Sequence, residues 1–147
     1  MERDPVISAD EVAAARPRVD GPELLAIFLG GSIGAVARAA LVQGVHVRPG
    51  EWPWATFTAN IVAALLLGYV ITRLQERLPP YTYHRSFLGT GICGALSTFS
   101  TMMIELLRMI DGDYWGLAFG YGGASVAGGL AGVFVSTKLV RRAALLR

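Results

Sequence analysis

A chain of 147 residues has room for one domain, and this one is 53% hydrophobic, 16% charged and formally +2, with a mean hydropathy of +0.47. Its charges are segregated: four windows, Leu24–Gln43, Trp54–Thr72, Ser86–Ile104 and Tyr114–Thr137, hold 82 residues and one charge, Arg38. Each window approaches the roughly 20 residues that cross a hydrocarbon core about 30 Å thick, which excludes a soluble globule, a disulfide scaffold and a nucleic-acid-binding domain.

The expected organisation is a polar tail at 1–21, a four-helix transmembrane domain at 22–140 and a basic end at 141–147. The tail mixes both signs of charge around Pro5 and Pro17, so it reads as a poorly ordered or short-helical extension. The first window is too long for a signal-peptide core and has no basic flank directly before it, so it reads as a membrane helix. Backbone groups in lipid must bond within their own segment, which makes every window a helix. The spans are expected near 23–43, 54–74, 86–108 and 114–138.

Short links, with Pro49 and Pro53 in the first and Pro79-Pro80 in the second, make successive helices run antiparallel. Trp52, Trp54, Tyr81, Tyr83, Tyr114 and Trp115 fall at window ends, where an aromatic belt meets the headgroups. Fourteen of the 18 glycines lie inside the windows, and Gly30-x-x-x-Gly34, Gly116-x-x-x-Gly120 and Gly128-x-x-x-Gly132 permit close helix approach. Four short helices leave much surface uncovered, so self-association or pairing with a sister subunit is expected. One cysteine, Cys93, offers no internal disulfide.

The polar residues inside the windows are few. Arg38 either faces protein or water, or lies near a helix end and snorkels. Asn60, in Thr56-Phe57-Thr58-Ala59-Asn60, carries an amide with two donors and an acceptor. It is either an interhelical clasp or an anion donor on a pore wall. The third window places Gly89, Gly91 and Gly94 with Thr90, Ser97, Thr98, Ser100 and Thr101. Glycine lowers helix stability by about 1 kcal/mol against alanine, and hydroxyls compete for backbone bonds. The segment is therefore either a close-packed glycine helix or one that breaks mid-membrane, which is tolerated only inside protein or along a cavity. In the fourth window Tyr121 and Ser125 share a helix face at i, i+4.

Glu23 and Glu105 read as window-edge residues, and His46 and His84 as loop residues. With no acid inside a window, proton-coupled export lacks its titratable group. No His/Glu/Asp set has metal-ligand spacing, and no triad sits at one depth, so an enzyme is disfavoured. Uncharged donors plus one arginine point to a small anion crossing passively.

Four motifs in order resemble those of the Fluc-type, or CrcB, fluoride channels. They are Gly30-Gly31-Ser32-Ile33-Gly34-Ala35-x-x-Arg38; Thr56-Phe57-Thr58-Ala59-Asn60 with Gly68; Gly91-Ile92-Cys93-Gly94-Ala95-Leu96-Ser97-Thr98-Phe99-Ser100-Thr101; and the glycine-rich fourth helix with Tyr121 and Ser125. The resemblance covers the chain from about Leu24 to the last helix. It implies an all-α membrane protein whose third helix breaks mid-membrane, forming an antiparallel dual-topology dimer with two fluoride pores at the subunit interface.

Carried over residue by residue, the backbone carbonyls of Gly94 and Ser97 would hold a structural sodium ion at the two-fold axis. Asn60 and Phe99 would meet fluoride, and Ser100, Thr58, Tyr121 and Ser125 would supply hydroxyls. Arg38 would be the vestibule or structural arginine. Where the family has a second pore phenylalanine, this chain has Met102, which lacks the positive ring edge. Rival readings are a small multidrug-type proton-coupled exporter and a non-conducting partner subunit.

Charge bias bears on assembly. If both termini share a side, that side collects ten Lys/Arg, and the other has Arg48, Arg108 and at most Arg38. The positive-inside rule then puts both termini in the cytoplasm and favours one orientation in the plasma membrane. The expected partner is thus an oppositely oriented homologous subunit, with a homodimer as the alternative; the pI near 9.0 suits anionic lipid headgroups.

Overall fold

The computed structural model describes residues 20–43, 45, 47, 48, 50–77 and 83–145. The polar tail with Pro5, Pro17 and its arginines, the Pro79-Pro80 link, Tyr81, His46 and Pro49 lie outside the described residues.

Every regular element among the described residues is helical: Gly21–Gln43, Trp54–Arg77, a third crossing in pieces, and Trp115–Leu145. Four stretches of the described residues are long and apolar enough to cross a membrane, Gly21–Val42, Trp54–Leu74, Ser86–Asp111 and Trp115–Ala143. The chain is thus a multi-pass, all-α membrane protein. Phe28, Val36, Phe119 and Leu130 are largely exposed on the single chain, an apolar exterior suited to lipid or to another subunit.

The first helix lies mainly on the first half of the third crossing, and the second on the fourth. Glycine sets both seams. A Cβ at Gly30 would collide with the Phe87 carbonyl oxygen, and one at Gly34 with that of Ile92. On the other seam, a Cβ at Gly68 would stand 2.7 Å from the Val133 carbonyl oxygen. Such small residues let backbones approach where lipid offers no hydrophobic drive between helices. The Thr72 hydroxyl donates to the Gly68 carbonyl at 2.7 Å and meets the Thr137 hydroxyl across this seam at 3.2 Å.

The third crossing is irregular along half its length. Ser86–Cys93 winds as a π-helix, Gly94–Leu96 returns to α geometry, and Phe99–Asp111 forms a regular helix. Between the last two, Ser97 (φ −72°, ψ 153°) and Thr98 (φ −147°, ψ 119°) are extended. Thr98 then caps the following helix, its hydroxyl accepting from the Thr101 N–H at 3.3 Å. Of the two readings of this glycine- and hydroxyl-rich window, the broken one is the structure adopted.

At one end of the bundle, Ser86 donates to Glu23 at 2.6 Å, and Asp20 beside Tyr83 raises the phenol above its ordinary pKa. At the opposite end, Gly50 has a positive φ of 83° and backs onto the Tyr114 ring, so no side chain fits there.

Candidate functional site

The break frees backbone groups in mid-membrane, and the second helix supplies their partners. Asn60 donates from Nδ2 to the Thr98 carbonyl at 3.1 Å and accepts the Thr98 N–H on Oδ1 at 2.7 Å. The amide thus replaces, on both sides of one residue, the bonds a continuous helix would have made. It is a clasp on backbone, and one of its two N–H groups is left over. Because the Thr98 N–H turns to Asn60, the Gly94 carbonyl loses the i+4 donor it would have in a helix. Arg38, half-buried, points at the same break, with Nη1 3.4 Å from the Ser97 carbonyl oxygen. Of its two sequence readings, the one facing protein holds.

Two turns on from Thr98, Glu105 ties three helices together. Thr56 donates to Oε1 at 2.6 Å and Tyr121 to Oε2 at 2.7 Å. Both carboxyl oxygens accept hydroxyl protons, the pattern of a carboxylate held by short charge-assisted bonds. Tyr121 is fully buried, within a cluster of Met102, Met109 and Ala118 against which Trp52, Phe57 and Leu106 pack. A cavity of about 710 Å3 opens onto Glu105 and is lined by Arg48, Glu51, Thr101, Arg108 and Asp111 among others.

The residues singled out from sequence therefore divide. Asn60, Arg38 and Ser97 gather at the break, and Gly94 is exposed beside it. Phe99 projects outward, 71% exposed, and Ser100 is exposed with its hydroxyl 3.4 Å from that of Thr98. Thr58 lies on an exposed face of the second helix. Tyr121 sits in the Glu105 network, while Ser125, 7% exposed, has a buried hydroxyl with no bonded partner. Met102 is also only 7% exposed and packs inside the single chain, unlike Phe99 three residues before it.

Two groups escaped the sequence reading. Glu105, taken for a window-edge acid, is half-buried within the Ser86–Asp111 span, because the two hydroxyls satisfy it there. Thr56, quoted only as part of a motif, is fully buried as one of those donors. The available signal was its i, i+4 spacing from Asn60, which puts both on one helix face.

Comparison with known proteins places this geometry in context. The family model described as CrcB-like protein, Camphor Resistance (CrcB), matches residues 25–137. The chain is 54% identical over 128 residues to "Fluoride-specific ion channel FluC 1" of Mycolicibacterium paratuberculosis, covering 87% of this chain and 97% of that protein. It is 51% identical over 131 residues to the protein of the same name in Mycobacterium tuberculosis, covering 89% and 99%. A more distant relative, "Fluoride-specific ion channel FluC" of Caulobacter vibrioides, is 35% identical over 123 residues, covering 82% and 96%.

Proposed function

The chain belongs to the CrcB family, and on that premise we propose that it is a passive, fluoride-selective channel, not an enzyme, exporting cytoplasmic fluoride to protect the cell. The observation that carries this reading is the helix break at Ser97–Thr98, clasped by Asn60 at the level of an outward-facing phenylalanine. Fluoride is small, strongly hydrated and a hard acceptor, so its path must replace water with donors without caging it. The spare Asn60 N–H, the hydroxyls of Ser100, Thr58 and Ser125, and the positive ring edge of Phe99 are such donors, with Tyr121, whose own proton goes to Glu105, beside Ser125 on the same helix face. They are uncharged, which allows release as well as entry. Arg38 adds fixed positive potential beside them. Met102, lacking that ring edge, packs into the cluster around Tyr121 and leaves Phe99 as the aromatic contact.

The exposed apolar exterior supports assembly as an antiparallel dimer within membrane lipid. The carbonyls of Gly94 and Ser97, with their mates across a two-fold axis, would hold a structural sodium ion. The donor set fits: these are hard oxygens, Gly94 has lost its helical N–H, and Ser97 takes only the long Arg38 contact. When bound, the ion supplies a fixed cationic charge and ties the two breaks together. The ten-to-three bias of Lys/Arg favours an oppositely oriented homologous subunit as the partner over a second copy.

Fluoride efflux from liposomes containing the purified chain, alone and together with an oppositely oriented homologous subunit, with chloride as control, tests the channel reading. Rapid fluoride release without chloride release is expected, and equal rates for both ions would overturn it. The proton-coupled exporter reading is tested in the same vesicles, since it requires efflux to follow an imposed pH gradient. Labelling of single cysteines introduced at each terminus, in cells expressing this chain alone, tests the partner. Labelling mainly from the cytoplasm is expected; equal labelling from both sides, with full efflux by the single chain, points to a homodimer.

A further inference from the structure

Among the described residues, two buried side-chain polar atoms have no bonded partner: the Ser125 hydroxyl and the indole nitrogen of Trp52. Both flank Tyr121. The Trp52 ring meets the Tyr121 ring at 5.5 Å in a T-shaped arrangement and the Phe57 ring at 5.6 Å, and Ser125 lies one helical turn beyond Tyr121 on the same face. Neither group is explained by packing alone. An indole N–H can only donate, and a buried donor left unmet is destabilising. An indole N–H and a hydroxyl oxygen are a compatible pair, yet these two do not bond each other. Nor does the indole N–H reach Glu105, whose oxygens accept from Thr56 and Tyr121.

We propose that Trp52 is a further anion-binding residue of the conduction path, its unmet indole N–H donating to fluoride at the Trp52 end of the helix face that carries Tyr121 and Ser125. The proposal rests on the fluoride-channel reading and extends it to a residue that the helix motifs do not contain. Its chemistry suits the ion. The donor is neutral, so it does not trap an anion as a lysine would. It does not titrate in water, so its contribution is constant with pH. It is also fixed by ring packing on two sides, which holds the N–H in place without help from solvent.

The test is fluoride efflux from liposomes by Trp52→Phe, which keeps an aromatic ring and removes the N–H, beside Trp54→Phe as control. Trp54 is mostly exposed on the outside of the same aromatic cluster, its ring 5.7 Å from that of Trp52. Trp52→Phe is expected to slow efflux on the order of tenfold, as for loss of one hydrogen bond to a charged group, with elution as an assembled protein unchanged and Trp54→Phe conducting normally. Replacing Trp52 by its benzothiophene analogue, which preserves ring size, is expected to reproduce the loss. In Trp54→Phe/Trp115→Phe, where Trp52 is the one tryptophan left, fluoride is expected to change the emission and chloride is not. Efflux at the wild-type rate through the benzothiophene protein, or identical emission changes with both ions, would overturn the assignment. Failure of the wild-type protein to pass fluoride, both alone and with an oppositely oriented homologous subunit, would overturn the channel reading itself.

Discussion

The two halves of the third crossing meet their neighbours by different means. Ser86–Leu96 touches the first helix backbone to backbone, through Gly30, Gly34 and Gly91, with no side chain between. Phe99–Asp111 is held by side chains: Glu105 takes hydroxyls from Thr56 and Tyr121, while Met102 and Met109 pack around Tyr121. In the first half distance is everything, because a glycine seam has nothing flexible that can move aside. In the second half orientation matters more, because hydrogen bonds and a thioether can adjust a little. Asn60 stitches the two where neither kind of contact can reach.

If this contrast is right, the largest effect belongs to the glycine seam. Gly34→Val places side-chain carbon against the Ile92 carbonyl oxygen, an obstacle of backbone, so its cost should exceed the ~1–3 kcal/mol of ordinary overpacking. Loss of the folded, monodisperse protein on size-exclusion chromatography is the expected result; a Gly34→Val protein that elutes and melts as wild type would dissolve the distinction between the halves.

Asn60→Asp comes next. It sets a carboxylate oxygen beside the Thr98 carbonyl in place of a donated bond, leaving a buried acceptor unmet at about 1–3 kcal/mol. Fluoride efflux should vanish and the detergent melting temperature should fall together. A fall in efflux with no change in melting would mean that the amide serves the ion and not the break.

A matched pair sharpens the second half. Met102→Ala, in the core, should destabilise by about 2–5 kcal/mol, read as a lower melting temperature. Phe99→Ile, on the exterior of the single chain, should leave melting nearly unchanged and reduce fluoride efflux. Reversed outcomes would exchange their assigned places. The smallest effect should come from Ser86→Ala, which removes an exposed bond to Glu23 at the start of the crossing. Stability should move by less than about 0.5 kcal/mol, and a larger shift would show that the first half leans on side chains after all.

The number and kind of membrane crossings were written in the sequence, because exclusion of charge from about 20-residue windows is a one-dimensional property that lipid enforces directly. The glycines and hydroxyls of the third window likewise announced a choice between close packing and breakage, since backbone propensity is local. Which alternative won was decided in three dimensions. Asn60 meets Thr98 from 38 positions away, and Thr56 meets Glu105 from 49; no local pattern shows which buried donor will find which buried acceptor. Glu105 could leave the window edge only because two hydroxyls from other helices satisfy its oxygens, and Met102 turned inward only because Tyr121, Met109 and Ala118 form a place for it. Burial of a polar or bulky group depends on what surrounds it once the helices have packed.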